Sequence, residues 1–474
     1  MFRIAEAFID GALVEPCGRE EFELVDPTRE ETVGRVVLAD GVDLDKAVAA
    51  AHRAFEASRR SDPTQRIVLL RRIAEAVLAR RAELVRATVE EYGGPVRQAE
   101  WRVAMAAESL TLAANLLESY AFSRPVGDAI VLMEPVGVAG LITPWNNNVG
   151  FVCGKLAAAL AAGCACVVKP SELSARQTQV LIRCLQDADL PAGLVNIVIG
   201  GGQLGAALVA HPGISKISFT GSTAVGQSIL RTGADTVKRV TLELGGKSPT
   251  LVLDDADFEK AVPFAIGAAF GNNGQACVAG ARILVPRSRF DDFAMRLKAA
   301  AEALVVGDPR DDSVDIGPQV SRRHYERVQG YIRLGLAEGA RLLTGGEGRP
   351  GGLSAGYFTR PTVFVDVRND MRIAQEEIFG PVVCLIAYSD EADAVAIAND
   401  SSYGLQAYVS TGDPSRGRRV AALLEAGRVA INAAPAELQA PFGGRKLSGL
   451  GREYGLYGLE SFLEPKALIG EVSA

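Results

Sequence analysis

The chain contains 474 residues, of which 48% are apolar and 23% are charged, and its formal net charge is −7 at pH 7. This profile is typical of a globular protein with two or three domains. Positive and negative charges are scattered along the chain, which argues against a nucleic-acid-binding protein because that class needs clustered Lys and Arg. No window of about 18 uncharged apolar residues predicts a transmembrane helix.

The cysteine and histidine content argues against a metal site. The seven cysteines show no CxxC pairing, which suits free thiols in a reducing compartment. The three histidines, His52, His211 and His324, do not have metal-ligand spacing. Residues 1–10 lack the apolar core of a signal peptide, so we expect a cytoplasmic protein without a metal, in which carboxylates, lysine or water transfer protons.

The first third of the chain is predicted to be short strands followed by helices. Residues 1–40 predict short strands and turns, with a turn at Asp26-Pro27-Thr28. Apolar residues then recur every three or four positions, which predicts helices over 43–91 and 96–119. Residues 120–133 predict a β-hairpin around Gly127-Asp128.

The rest of the chain has an α/β pattern. From Gly137 to Leu244, apolar strands without alternation are each followed by a helix, which indicates a parallel sheet covered on both faces. A second α/β region extends from Thr250 to about Asn432, and Ser461 to Ile469 predict a terminal strand. Ligands bind at the carboxyl ends of such parallel strands, so the polar residues that follow those strands are candidate site residues.

Gly274-Gln275-Ala276-Cys277 is the candidate for covalent chemistry. It follows the apolar helical run Phe258 to Phe270 and precedes a strand from Ile283 to Val285. A thiol between small residues at such a junction is accessible, and its thiolate is a strong nucleophile. The alternative is an inert core cysteine, because cysteine is among the most buried residue types.

Two Gly-containing segments link a strand to a helix. Phe219 to Gly226 carries Ser222 and Thr223 at a helix N-terminus, where free N–H groups and a hydroxyl suit a pyrophosphate, although a plain N-cap is an equal alternative. Gly200, Gly202 and Gly205 have GxGxxG spacing. No acidic residue follows about 20 positions later, so an ordinary tight turn is favoured for that segment.

Three further strand ends carry polar side chains. Lys169 and Glu172 suit ribose hydroxyls or a simple ion pair. The Asn146 amide suits a developing oxyanion, or a turn that tolerates left-handed geometry. Glu243, a carboxylate in an apolar strand, suits a general base with a raised pKa or a Glu paired with a basic group.

Together, these motifs in this order resemble the NAD(P)-dependent aldehyde dehydrogenase superfamily. The resemblance covers the chain from about Val25 to Pro465. The matching stretches are Pro144-Trp145-Asn146, Lys169-Pro170-Ser171-Glu172, Phe219 to Gly226, Glu243-Leu244-Gly245-Gly246-Lys247, Gly274 to Cys277, Glu376-Glu377-Ile378-Phe379-Gly380-Pro381, and Pro441-Phe442-Gly443-Gly444 to Gly449.

The resemblance implies an aldehyde-dehydrogenase-like α/β fold in three parts. Residues 1–118 and 134–245 would form the dinucleotide-binding, parallel-sheet domain, and residues 246–445 the catalytic α/β domain. Residues 119–133 and 459–474 would form a small β oligomerisation element. Such elements bridge subunits in the family, so a homodimer or homotetramer is implied.

The resemblance also implies an activity, the oxidation of a small-molecule aldehyde to the carboxylic acid. Cys277 would form a thiohemiacetal and then a thioester, and Asn146 with the Cys277 backbone N–H would hold the oxyanion. Glu243 would activate the water that hydrolyses the thioester. Lys155 matches a lysine that the family places in its proton path.

NAD is the cofactor that the resemblance implies, and NADP is the alternative. NAD is favoured because Glu172 would repel the 2′-phosphate of NADP. Lys169 and Glu172 would bind the adenosine ribose, Glu377 would hold the nicotinamide ribose, and Phe379 would pack beside the ring. The remaining cofactor-binding residues would be Trp145, Gly221, Ser222, Gly226 and Leu244.

Some positions depart from the family pattern. Asn147 and Asn148 replace an aromatic residue and a proline, and Gly154 stands where a bulky aromatic residue is common, so we expect a wider or more polar substrate funnel. Ala224 replaces an acidic residue in the pyrophosphate helix. The segment 433–439 contains Glu437 and no Arg, which argues against succinate semialdehyde as the substrate.

Three alternative functions remain. A CoA-acylating aldehyde dehydrogenase would transfer the acyl group to CoA, but relatives of that kind lack the general-base Glu. A non-catalytic family member would have lost Cys277 or Glu243, and both are present. A thiol esterase would cleave esters without NAD and would leave the dinucleotide motifs unexplained.

Overall fold

Two large, mainly parallel β-sheets organise the chain, and the computed structural model describes residues 1–470. The helices are α1 (Gly41–Ser58), α2 (Pro63–Ala79), α3 (Arg81–Tyr92), α4 (Val96–Leu117), α5 (Asn148–Ala162), α6 (Ala175–Asp187), α7 (Gly202–Ala210), α8 (Thr223–Ala234), α9 (Phe258–Phe270), α10 (Phe290–Glu302), α11 (Arg322–Ala337), α12 (Arg372–Gln375), α13 (Glu391–Asn399), α14 (Pro414–Leu423) and α15 (Gly455–Glu460). Short 3₁₀ turns cover Glu172–Ser174, Gly271–Gly274 and Arg287–Arg289.

The strands divide among five sheets within the described residues. They are β1 (Phe2–Ile4), β2 (Ala7–Ile9), β3 (Ala12–Val14), β4 (Glu21–Asp26), β5 (Glu31–Val37), β6 (Ser123–Val126), β7 (Ala129–Pro135), β8 (Val138–Ile142), β9 (Ala165–Lys169), β10 (Val195–Ile197), β11 (Lys216–Thr220), β12 (Arg239–Glu243), β13 (Pro249–Val252), β14 (Arg282–Pro286), β15 (Arg341–Thr344), β16 (Thr362–Val365), β17 (Val382–Tyr388), β18 (Tyr403–Gly404), β19 (Gln406–Ser410), β20 (Arg428–Ile431), β21 (Arg445–Lys446), β22 (Gly449–Leu450) and β23 (Leu463–Leu468).

The first large sheet has the order β22-β12-β11-β8-β9-β10-β2-β3. Strands β8 to β12 are parallel, and β22 and β2 add antiparallel strands at either side. Every residue of β8 and β9 is buried because helices cover both faces. The missing alternation therefore predicted the parallel sheet correctly.

The second large sheet has the order β15-β16-β17-β14-β13-β19-β20 and is parallel except for β15. A third sheet joins the hairpin of β6 and β7 to β23, as the sequence predicts. Residues 471–474 of the predicted oligomerisation element lie outside the described residues. The three-part division of the chain remains a prediction.

Helices α1 to α3 form where the sequence predicts one helical run. Asp40 is the N-cap of α1 and Asp62 is the N-cap of α2, each in a capping box with the residue three positions later. Helix α3 follows α2 after Arg80 and has no side-chain cap. Gly93, at φ +78°, ends α3 before α4 begins. Among residues 1–470, no helix is long and apolar enough to span a bilayer.

Strand register aligns the predicted site residues along one edge of the first sheet. Ile142, the last residue of β8, pairs with Lys169, the last residue of β9. Phe219 of β11 also pairs with Ile142, and Thr220 pairs with Glu243, the last residue of β12. Four strands therefore end at the same level, which is the edge where ligands bind in parallel sheets.

Candidate active site

A tightly held turn precedes Cys277. Asn272, Asn273 and Gly274 have φ angles of 59°, 58° and 69°, a left-handed run that is costly for the two asparagines. Tyr92 donates from its hydroxyl to the Asn272 carbonyl (3.0 Å), and the Gly317 N–H donates to Asn273 Oδ1 (2.7 Å). These buried hydrogen bonds hold the strained turn and fix the position of the cysteine that follows it.

Glycines let other segments approach this turn closely. A Cβ on Gly246 would lie 2.4 Å from the Cys277 carbonyl oxygen, so only glycine fits there. A Cβ on Gly274 would lie 2.3 Å from the Gly380 carbonyl carbon. The segment after β12 and the segment around Gly380 therefore both pack against the Cys277 loop.

The Cys277 thiol is partly exposed and lies among acidic groups. Burial raises the pKa of Cys277 to about 12, and the negative charges of Glu377 and Glu243 act in the same direction. The thiol is therefore protonated near neutral pH in this state, and its activation requires a base. Gly246 packs against the Cys277 carbonyl, its N–H donates to Glu377 Oε1 (3.0 Å), and Glu243 lies three residues before it, so both carboxylates are close to the Cys277 loop.

Asn146 is fixed against the Cys277 loop. Its side-chain Nδ2 donates to the Gln275 carbonyl (2.9 Å), and its own carbonyl accepts from Asn272 Nδ2 (3.2 Å). The Asn146 amide has two N–H groups, and only one is used in this bond. The second N–H is free to stabilise charge close to Cys277.

Glu243 is a buried carboxyl group without a protein partner. The residue is 2% exposed, and neither carboxyl oxygen has a hydrogen-bond partner within residues 1–470. Burial raises the pKa of Glu243 well above its usual value, the charge of Glu453 adds to this, and Lys155 and Arg452 oppose it. An unpartnered buried carboxyl group is costly, which fits a group that binds water or substrate.

Lys155 pairs with a carboxylate that the sequence analysis missed. Its Nζ lies 2.5 Å from Glu453 Oε1 and donates to Ser218 Oγ (2.9 Å), and Ser218 Oγ donates to Glu453 Oε1 (3.1 Å). Lys155 is 2% exposed. Glu453 follows the matched Gly-rich stretch 441–449 by four residues, and this proximity is the signal that could have found it.

Tyr454 occupies the space beside Gly154. The position of a Cβ on Gly154 is 3.5 Å from Tyr454 Cε1, and the Tyr454 ring packs on Phe442 with centroids 5.6 Å apart. Tyr454 has φ 67°, an outlier for an aromatic residue. A tyrosine from the C-terminal segment thus fills part of the room that Gly154 leaves.

Asn148 does not shape the funnel as the sequence analysis expects. It is fully buried, and its Nδ2 donates to Thr178 Oγ1 (3.2 Å) on the adjacent helix α6. Asn147 is partly exposed at the start of α5, and its side chain blocks the Cβ position of Gly150. The two asparagines differ because α5 begins between them and turns the second one into the core.

The remaining predicted residues of the first sheet lie at its carboxyl edge. Lys169 Nζ and Glu172 Oε2 are 3.7 Å apart, beyond hydrogen-bonding distance. Ser222 is the N-cap of α8, its Oγ accepting from the Val225 N–H, and the Gly221 N–H donates to the Glu243 carbonyl (3.0 Å). The N-cap interpretation of Ser222 is therefore correct, and the Thr223 and Ala224 N–H groups have no acceptor within residues 1–470.

Gly226 and Leu244 form one packing contact. A Cβ on Gly226 would lie 2.6 Å from Leu244 Cδ2, and the Leu244 N–H donates to the Ser448 carbonyl (2.9 Å). The glycine lets α8 lie directly on the end of β12. Both residues thus position the turn at the start of α8 relative to the strand that ends at Glu243.

Glu377, Trp145 and Phe379 pack near the Cys277 loop. Glu377 Oε1 accepts from the Gly246 N–H (3.0 Å), and burial raises the pKa of Glu377 to about 7. The Trp145 ring packs edge-on against Phe379 with centroids 5.5 Å apart. The structure therefore brings Glu377 and Phe379, which are far from Cys277 in sequence, close to the Cys277 loop.

The model of the aldehyde dehydrogenase family matches residues 13–468. The chain belongs to the aldehyde dehydrogenase family. A similar protein from a Pseudomonas species, 3-succinoylsemialdehyde-pyridine dehydrogenase, is 45% identical over 468 residues, which is 98% of each chain. A putative aldehyde dehydrogenase from Staphylococcus haemolyticus is 41% identical over the whole length of both chains.

Solved structures of the family are similar over nearly the whole of this aldehyde dehydrogenase. A cysteine-to-alanine mutant of aldehyde dehydrogenase C from Pseudomonas syringae, complexed with NAD+ and octanal, is 44% identical and has a TM-score of 0.97, covering 99% of this chain and 97% of that one. An aldehyde dehydrogenase from Bacillus cereus in an NAD+ complex is 38% identical with a TM-score of 0.94, covering 98% and 96%.

Proposed function

We propose that this aldehyde dehydrogenase oxidises an aldehyde to the carboxylic acid, with NAD as cofactor and Cys277 as nucleophile. One observation carries the proposal: Cys277, Asn146 and Glu243 come from three distant parts of the sequence and meet at one place. A nucleophile, an amide N–H donor and an unpartnered carboxyl group are the groups that this reaction needs.

The residues at the carboxyl edge of the first sheet fit a dinucleotide. Within residues 1–470, Thr220 Oγ1 is enclosed without a hydrogen-bond partner, and it lies three residues before the start of α8. Lys169 and Glu172 form a loose ion pair with Nζ and Oε2 3.7 Å apart, and both side chains would keep further capacity for ribose hydroxyls. Glu377 and Phe379 would hold the nicotinamide end, and Glu172 would disfavour the 2′-phosphate of NADP.

Activation of Cys277 comes first. The thiol proton must move to a base because burial and two carboxylates oppose ionisation. Glu243 is the acceptor that we assign, directly or through one water, since its raised pKa makes it a stronger base than an ordinary carboxylate. The sulfur then adds to the aldehyde carbon, and the free Asn146 N–H with the Cys277 backbone N–H stabilises the oxyanion.

Bound NAD supplies the acceptor for the hydride that leaves the substrate carbon, so that a thioester on Cys277 remains. Glu243 must first release the thiol proton to solvent, and it then removes a proton from water. The resulting hydroxide attacks the thioester, the carboxylic acid leaves, and the Cys277 thiolate takes up the proton that Glu243 removed from the water. Beyond Glu243, the next groups on a proton path would be the Lys155–Glu453 pair, whose two charges both act on the pKa of Glu243.

A screen of aliphatic, aromatic and carboxylated aldehydes tests the proposal by NADH absorbance at 340 nm. We expect NADH formation with NAD alone and without CoA, since Glu243 is in place to activate water. A strict requirement for CoA would support the acylating alternative instead. Ester hydrolysis without any aldehyde oxidation would support the thiol esterase.

A further inference from the structure

Arg102 on α4 is an enclosed cation without a partner. It forms no ion pair and no side-chain hydrogen bond within residues 1–470, and its Nε atom is buried and unpaired. The residue as a whole has intermediate exposure, so part of it remains accessible. Enclosing an unpaired charge is costly, which indicates that an acceptor from outside the chain completes this position.

Arg102 lies one helical turn from a residue that bonds the Cys277 loop. Gln98, one turn earlier on the same face of α4, accepts from the Asn272 N–H through its Oε1 (3.0 Å). Asn272 in turn donates to the Asn146 carbonyl (3.2 Å). Tyr92 also bonds this loop, donating from its hydroxyl to the Asn272 carbonyl (3.0 Å). Burial lowers the pKa of Arg102, while Tyr92 and Cys277 act to raise it.

Farther along the helix, the same face of α4 borders a cavity. Ser109, Leu112 and Leu116 follow Arg102 at helical spacing and line a cavity of about 470 Å³ together with Gly154 and Tyr454. Arg102 and Ser109 are separated by seven residues, which is about 10 Å along a helix. Arg102 therefore lies on the stretch of α4 between Gln98, which bonds the Cys277 loop, and the residues that line this cavity.

We propose that Arg102 binds a carboxylate at the end of the substrate remote from the aldehyde, which makes this enzyme selective for short ω-carboxylated aldehydes. The planar guanidinium offers paired N–H donors that match a carboxylate. The inference rests on the proposed aldehyde oxidation and names its substrate class. Residues 433–439 contain no Arg, but Arg102 on α4 would supply the cation that a carboxylated substrate needs.

Matched substrates separate charge from chain length. We compare kcat/KM for succinate and glutarate semialdehydes with butanal and pentanal, in wild type, Arg102→Gln and Arg102→Lys. Arg102→Gln should lower kcat/KM for the carboxylated aldehydes about 10- to 100-fold more than for the alkyl aldehydes, mainly through KM. Arg102→Lys keeps the charge but not the fork, so it should recover part of the loss.

The matched control is Arg97→Gln on the exposed side of the same helix. Arg97 pairs with Asp315 at the surface (3.2 Å), so its loss should leave the ratio between the two substrate classes unchanged. If Arg102→Gln fails to fold, the wild type still provides a test. Succinate should then compete with butanal in wild type, and less well in Arg102→Lys.

The outcomes distinguish this inference from the function beneath it. A wild type that oxidises butanal but shows neither preference for the carboxylated aldehydes nor competition by succinate overturns the role of Arg102 alone. An equal loss for both substrate classes in Arg102→Gln also overturns it, because it indicates a structural role. If no aldehyde yields NADH, the proposed function fails and the inference fails with it.

Discussion

Glu243→Gln should separate the two halves of the proposed reaction. Glutamine keeps the shape of the side chain, and no protein hydrogen bond is lost because neither Glu243 oxygen has a partner within residues 1–470. The amide cannot accept a proton, and general bases contribute about 10²- to 10⁴-fold to rate. Steady-state turnover should fall by about that factor, with no loss in the midpoint of thermal unfolding.

Stopped-flow absorbance at 340 nm is the assay. The variant should still release one equivalent of NADH per active site in a burst, but more slowly than wild type because Cys277 has lost its assigned base. Turnover should then be slower still, because the thioester forms but is not hydrolysed. In wild type, turnover should rise with pH through a value well above 4.5, since burial raises the pKa of Glu243 and only the ionised form is a base. A variant with wild-type turnover, no burst and the same pH profile would refute the assignment.

Two further predictions concern the cofactor edge. Gly226→Ala should destabilise the fold by about 1–3 kcal/mol, because its Cβ would lie 2.6 Å from Leu244 Cδ2, and an unchanged melting temperature would count against that packing. Glu172→Gln should raise kcat/KM for NADP relative to NAD, since one negative charge near the proposed 2′ position is removed. A constant ratio between the two cofactors would place the 2′ position elsewhere.

The sheet that holds the site was predictable because burial on both faces leaves a mark on composition. Val138–Ile142 and Ala165–Lys169 read as strands without alternation, and both are buried throughout. The polar residues that follow such strands share one edge, so Lys169 and Glu243 could be assigned to a common site from sequence. Cys277 stood out through its small neighbours and its motif context.

Charged residues inside helices and loops were not predictable in the same way. Arg102 has the spacing of an ordinary polar helix position, and only its missing partners within the described residues reveal its environment. Glu453 follows a Gly-rich loop, and its contact with Lys155 spans almost 300 positions of the chain. Gly154 predicted empty space, but Tyr454 packs beside it, because local patterns do not show which distant side chain fills a gap.

Cys277→Ala tests the central claim most directly, with Cys17→Ala as the control for an exposed cysteine. We expect Cys277→Ala to bind NAD with unchanged affinity by calorimetry, to form no thioester detectable by mass spectrometry and to produce no NADH from any aldehyde. The Cys17 variant should behave as wild type. Undiminished NADH production by Cys277→Ala would contradict the account, because Cys277 would then not be the group that attacks the aldehyde.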